Sequence, residues 1–320
     1  MSPRKKPKVA LVLGSGAARG WAHIGVIHEL AELGVRPDLI VGASVGAVVG
    51  GAYASGNFEA FEEWVAGLRR FEIIRLLDAK MTGGGFLQGK SLMGAISEQI
   101  GDPRIEELDI PFACVATELG SGREVWLREG SLLDACRASI ALPGMFAPSR
   151  FDGDRLLVDG GLVNPVPVSL ARAMGGDIVI AVNLNGDLIG RHFFVHPLED
   201  AGEGDNDREL AEFEEKDSVV AKWAARMKTG FGVRLDSYIS SLRKKESPDP
   251  GLFDVIAGSV DIMQDRITRS RMAGEPPDVH ITPRLSHIGL MDFDMSAESI
   301  SEGRAATQRE LNDIENLPLD

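Results

Sequence analysis

The sequence has little with which to bind a metal or cross-link itself. It holds two cysteines and six histidines in 320 residues, and they fall at no metal-ligand spacing. Neither a metal nor an organic cofactor is expected. Cys114 and Cys136 sit in the apolar strings Phe112-Ala113-Cys114-Val115 and Ala135-Cys136-Arg137-Ala138, which predicts buried, reduced thiols. Positive charge is scarce as well: 34 Lys and Arg face 48 Asp and Glu, a net charge of −14. Such a surface repels phosphate backbones and argues against a nucleic-acid partner. No apolar run approaches the ~20 residues of a membrane span. Behind Arg4, Lys5, Lys6 and Lys8, the apolar run at 9–13 is too short for a signal-peptide core and ends in a glycine loop. The expected location is the cytoplasm. Repeats, low-complexity tracts and obvious linkers are missing too. Residues 8–318 therefore read as one domain, and 44% hydrophobic residues are enough for a sizeable core.

Short apolar runs alternate with longer helical patterns. Strands are predicted at 8–13, 38–41, 112–117, 155–158, 178–183 and 279–282. Several are apolar without alternation, as in strands buried on both faces of a parallel sheet. A helix is predicted over 19–33, with Ile24, Ile27, Leu30 and Ala31 at helical spacing and Gly34 beyond its end. Others are predicted from Val45, over 252–272, and after Ser296 as N-cap. Strand-helix alternation implies an α/β layered fold.

Residues 186–250 break the rhythm and read as an irregular charged insertion. Between 199 and 217, ten carboxylates face Arg208 and Lys216, as on a solvated surface segment. The stretch 219–245 is basic and amphipathic. It carries Lys222, Arg226, Lys228, Arg234, Arg243, Lys244 and Lys245 against Asp236, with Trp223, Met227, Phe231, Tyr238 and Leu242 as apolar surface. That composition suits either contact with a membrane surface or a helix packed on the domain.

Three motifs carry chemistry. Gly42-Ala43-Ser44-Val45-Gly46 follows a strand and precedes an apolar helix, the context a Gly-x-Ser-x-Gly nucleophile elbow requires. Gly42 and Gly46 permit a sharp turn that projects the Ser44 hydroxyl, and the helix behind it offers free N–H groups to an oxyanion. Gly14-Ser15-Gly16-Ala17-Ala18-Arg19-Gly20 follows the first strand. Its glycine spacing is not the dinucleotide fingerprint, although Asp38 could serve as a ribose acid, and it lacks the Gly-Lys-Ser/Thr ending of a nucleotide-phosphate loop. Asp159-Gly160-Gly161 follows the fourth strand. Alone it reads as a tight turn, but a serine nucleophile needs a base. No histidine has a distinctive context, and the residues themselves leave His280 and His287 open.

In this order, the loop with Arg19, the serine elbow and the Asp-Gly-Gly turn resemble the patatin-like phospholipases, above all their bacterial members. Gly20-Trp21-Ala22-His23-Ile24-Gly25-Val26 and the stretch 138–148, with Pro143-Gly144-Met145-Phe146-Ala147-Pro148, extend the likeness. It covers about 8–185 and resumes over about 250–315. The resemblance implies a three-layer α/β/α sandwich with a mainly parallel central sheet. It implies a serine hydrolase cleaving carboxylic esters of lipids, of phospholipase A or lysophospholipase type, through a Ser44–Asp159 dyad and an acyl-enzyme. The loop of Gly14, Gly16, Ala17, Ala18 and Arg19 would shape the oxyanion hole, with backbone donors around Gly16 and Ala17. Gly160 and Gly161 would form the turn behind the base. Ser15 and Ala17 stand where members often have glycine. The partner implied is a lipid or phospholipid, met by peripheral contact at the inner membrane surface. The same dyad also suits an acyl transferase or acyl-protein esterase, and a retained fold suits a regulatory binding protein.

Overall fold

The computed structural model describes residues 6–76, 81–82, 86–87, 89–188 and 252–319. Two units divide the chain, Met1–His192 with Asp261–Asp320, and Phe193–Val260. Of the second, only the opening turns of one helix are described. Nearly all of the charged segment expected at 186–250 lies outside the described residues, including the whole basic stretch 219–245.

The first unit is built on one sheet. Its strands are β1 (Val9–Leu13), β2 (Leu39–Ala43), β5 (Phe112–Glu118), β6 (Glu124–Leu127), β7 (Ser149–Phe151), β8 (Arg155–Asp159), β9 (Ile178–Val182) and β10 (Val279–Ile281). A separate hairpin joins β3 (Met81–Thr82) to β4 (Phe86–Leu87). The helices are α1 (Ala22–Glu32), α2 (Val45–Ala54), α3 (Phe58–Gly67), α4 (Arg70–Leu76), α5 (Lys90–Ile100), α6 (Leu132–Ser139), α7 (Val168–Ala173), α8 (Leu252–Gly274), α9 (Ser296–Arg309) and α10 (Leu311–Glu315).

The strand order is β10-β9-β1-β2-β5-β8-β7, with β6 also on β5. The expected parallel sheet is its β10-to-β5 half. Beyond β5 every pairing is antiparallel. The short strands β6 and β7 carried no apolar run to announce them, and Trp126 in β6 stays exposed.

β1, β2 and β9 are buried at every position, because helices cover both faces. Successive strand side chains point to opposite sides. Ala10, Val12, Leu39, Val41, Val179 and Ala181 pack against Val168, Leu170 and Ala171 of α7. Leu13 and Ile40 point the other way, to Gly50 of α2. This is the three-layer arrangement. The first predicted helix opens as a 3-10 turn, Ala17–Trp21, before α1, and Gly34 ends it at φ +77°. Ser296 is not the N-cap of α9; Met295 is, without a side-chain bond. Both cysteines are buried and free. Among the described residues, no helix is long and apolar enough to cross a membrane.

Candidate active site

Strand register brings the two sequence-predicted side chains together. Ala43, the last residue of β2, pairs with Val115 of β5. The next β5 residue, Ala116, pairs with Asp159 at the end of β8. Neighbouring positions on one strand thus seat Ser44 beside Asp159, 115 residues apart, and Ser44 Oγ donates to Asp159 Oδ2 at 2.6 Å.

Ser44 turns the chain from strand to helix at φ 54°, ψ −127°, a backbone state that costs of order 1–3 kcal/mol and persists only when its surroundings impose it. Two glycines and a second serine impose it. A Cβ on Gly42 would stand 2.5 Å from the Ala47 backbone, and one on Gly46 would stand 2.1 Å from Leu13 O. The Ser44 N–H donates to Ser139 Oγ at 2.8 Å, and Ser139 Oγ donates onward to Val115 O at 2.7 Å.

Asp159 is 1% exposed. Its other carboxylate oxygen, Oδ1, accepts the Gly161 N–H at 2.7 Å, and its backbone carbonyl accepts from Thr117 Oγ1 at 2.7 Å. Burial pushes its pKa from 3.8 up to about 6, against the opposing pull of the bonds from Ser44 and Gly161. A carboxylate with that value is a far better proton acceptor than a solvated one.

The glycine loop lies against this pair. Most of its N–H groups are used within the protein: Gly14 donates to Val182 O, Ser15 to Pro165 O, Ala18 to Leu290 O and Arg19 to Gly16 O. Gly16 and Ala17 keep N–H groups without a partner among the described residues. Ala17 adopts φ +48°, a conformation that glycine takes freely and that costs alanine about 1–2 kcal/mol. Arg19 is fully buried, and its guanidinium meets Asp261 at 2.8 Å. That ion pair and the bond from its Nε to Gly16 O tie Arg19 to α8 and to the loop. His23 lies 2.8 Å from Gly14 O. Burial lowers its pKa to about 4, so at neutral pH the ring is uncharged and Nε2–H donates to that carbonyl.

Ser44, Asp159 and Ala17 open onto a cavity of about 90 Å³, several times the ~10–15 Å³ that one water needs. Its walls include Val48, Leu68, Ile96, Leu142, Met145 and Phe293. Trp21 adds an indole whose N–H is already bonded to Phe293 O, so almost all polarity is concentrated at the Ser44–Asp159 end.

None of the described histidines is bonded to Ser44 or Asp159. His28 meets Glu62 and His287 meets Glu298, each at 2.7 Å. His280 faces outward from β10. His192 and His196 lie outside the described residues. Reasoning from the sequence missed Ser139, Asp261 and Gln264. Ser139 sat inside a quoted stretch with nothing to mark its role. The other two lie on a helix that shows only its apolar period.

A family model described as Patatin-like phospholipase matches residues 11–172. An Uncharacterized NTE family protein of Mycobacterium tuberculosis is 35% identical over 97% of this chain and 92% of its own length. Patatin-like phospholipase domain-containing protein 6 of Homo sapiens is 35% identical over 55% of this chain, which is 13% of that protein. Among solved structures, VipD from Legionella pneumophila superposes with a TM-score of 0.44 at 13% identity, covering 96% of this chain and 67% of that one.

Proposed function

Because the chain belongs to the patatin-like phospholipase family, we propose that it is a lipid acyl hydrolase with Ser44 as nucleophile and Asp159 as base. One observation carries the reading: the buried 2.6 Å bond between these side chains stands at the polar end of an apolar cavity. Ser44 Oγ attacks the ester carbonyl carbon while Asp159 Oδ2 takes its proton. The carbonyl oxygen becomes an oxyanion and is met by the N–H groups of Gly16 and Ala17, with the free N–H groups that open α2 behind them. The carbon–oxygen bond to the alcohol then breaks, and the proton on Asp159 goes to the leaving oxygen. Water, deprotonated by Asp159, then attacks the acyl-enzyme; the carbon–oxygen bond to Ser44 breaks, Asp159 returns the proton to Ser44 Oγ, and the fatty acid is freed. The cavity walls hold the acyl chain. An ester of phospholipase A or lysophospholipase type fits this division between an apolar pocket and a polar bond-breaking end.

The first unit is interrupted in sequence by the second, which supports reading the charged segment as an insertion into one catalytic domain. Peripheral contact with a lipid surface through 219–245 is proposed on charge and composition alone.

The test is hydrolysis of a panel of monoacyl and diacyl lipid esters, together with labelling by a fluorophosphonate. Ser44→Ala and Asp159→Asn are each expected to lose roughly a thousandfold or more in turnover, and Ser44→Ala to lose the label. His280→Ala and His287→Ala should stay within about tenfold of the parent, roughly 1.4 kcal/mol of barrier. Ester hydrolysis at the parent rate by either dyad variant would overturn the assignment.

A further inference from the structure

Far beyond residue 172, where the family match ends, two side chains of α8 reach back to the site. Asp261 and Gln264 are three residues apart and so share one helix face. Both are buried, at 6% and 5% exposure. Asp261 accepts from Arg19 at 2.8 Å and 3.4 Å, one bond to each carboxylate oxygen. Arg19 in turn donates from Nε to Gly16 O at 3.2 Å. Gln264 Oε1 accepts from Ser15 Oγ at 2.8 Å and from Asn185 Nδ2 at 2.7 Å. A Cβ on Gly161 would stand 2.5 Å from Gln264 Nε2 and 3.0 Å from Asp159 Oδ1. One helix face therefore touches the glycine loop at two points and the turn behind Asp159 at a third.

Peptide geometry gives this contact a consequence. In a trans peptide the carbonyl and the following N–H point in opposite directions. Gly16 O is held on Arg19 by both the side chain and the backbone N–H of that residue. The Ala17 N–H belongs to the same peptide and must point away from Arg19. Ala17 lines the cavity with Ser44. Arg19 holds Gly16 O while fully buried, with Asp261 balancing its charge; a buried cation without a partner is strongly unfavourable.

We infer that Asp261 and Gln264 are positioning residues for the reaction. Asp261, acting through Arg19, aims the Ala17 N–H, and Gln264 sets the separation between that loop and the Asp159 turn. The inference rests on the dyad reading above. Neither side chain touches the reacting atoms. An oxyanion donor works chiefly in the transition state, so a misaimed one lowers kcat and leaves substrate binding alone.

The experiment uses the full chain, a soluble p-nitrophenyl acyl ester and two inhibitors. A trifluoromethyl ketone with the same chain forms a Ser44 adduct that carries an oxyanion. The matching secondary alcohol fills the cavity without one. In Asp261→Asn, kcat should fall roughly 30- to 300-fold, at or somewhat below the about 100- to 1,000-fold of a donor lost outright, with KM within about threefold. Inhibition by the ketone should weaken in step with kcat, while inhibition by the alcohol stays unchanged. Gln264→Met should show the same pattern at about a tenfold loss. A buried ion pair can often be replaced as a whole by apolar side chains without loss of stability. Arg19→Met with Asp261→Leu therefore keeps the test valid if Asp261→Asn does not fold, and the double variant should lose kcat equally at parental stability. A folded variant with kcat within about threefold of the parent overturns the inference. So does a fall in kcat without loss of ketone affinity. An inactive parent enzyme would instead overturn the dyad reading.

Discussion

Ser139 Oγ takes the backbone N–H of Ser44 and gives its own proton to Val115 O, with heavy-atom distances of 2.8 Å and 2.7 Å. One fully buried hydroxyl thus joins the nucleophile's strained backbone to β5, the strand whose next residue, Ala116, pairs with Asp159 of β8. It also means that the Ser44 N–H is committed and does not serve an oxyanion.

Removing that hydroxyl is expected to cost more than one ordinary hydrogen bond. Ser139→Ala leaves a buried donor and a buried acceptor unpaired, each worth about 1–3 kcal/mol. Chemical denaturation should register a loss of about 2–6 kcal/mol for the two together, and kcat should fall because the elbow can relax out of its φ 54° state. Unchanged stability in Ser139→Ala would show that water or a shifted backbone replaces the hydroxyl.

The raised pKa of Asp159 fixes two pH dependences. As a base it works only when charged, so kcat/KM should fall tenfold per pH unit below about pH 6. Folding has the opposite sign. The folded-state value lies above the unfolded 3.8, so the carboxyl's favourable contribution is fully present below pH 3.8 and is lost as pH rises through about 6. At about 1.36 kcal/mol per pH unit, the rise from 3.8 to about 6 makes this loss about 3 kcal/mol. Asp159→Asn cannot ionise. Its stability relative to the parent should therefore improve from pH 4 to pH 7.5, as read by denaturation at each pH. A flat difference would show that Asp159 does not titrate near pH 6.

Glycines of the site and glycines of the surface should respond in opposite ways. Gly46→Ala drives a methyl to 2.1 Å from a backbone carbonyl, and a loss of several kcal/mol or no folded protein is expected. Gly94 lies exposed within α5, with nothing within 4 Å of an added Cβ. Gly94→Ala should raise stability by about 0.5–1 kcal/mol through helix propensity alone. Thermal melts of the two variants test both signs.

The basic stretch at 219–245 is expected to meet anionic lipid. Lys222, Arg226 and Lys228 changed together to Glu should weaken binding to vesicles containing anionic lipid. Binding by the parent should itself fall with added salt. Hydrolysis of a soluble short-chain ester should be spared. If the triple variant bound vesicles like the parent, the stretch would be a packing element instead.

Much of this molecule was legible before any coordinates. The strand patterns at 8–13, 38–41, 112–117, 155–158, 178–183 and 279–282 correspond to observed strands within one or two residues, and the central ones, β1, β2 and β9, are buried at every position, because a strand buried on both faces needs an unbroken apolar run wherever it sits. The glycines flanking Ser44 were legible for a similar reason: a turn that tight forbids a Cβ at 42 and 46 whatever else surrounds it. The meeting of Ser44 with Asp159 was available only by family resemblance, because composition and spacing left His280 and His287 open. Tertiary structure decided the rest. Sheet register sets which side chains lie opposite one another, and register is a property of paired strands that no single segment encodes. The pKa of Asp159 depends on the walls that exclude water from it, and those come from segments spread over the chain, Val48 to Phe293. The same holds for Arg19. Its sequence position places it in the loop that would shape the oxyanion hole without saying what it meets, and the fold brings Asp261 to it from 242 residues away, because a guanidinium taken wholly out of water needs a carboxylate beside it.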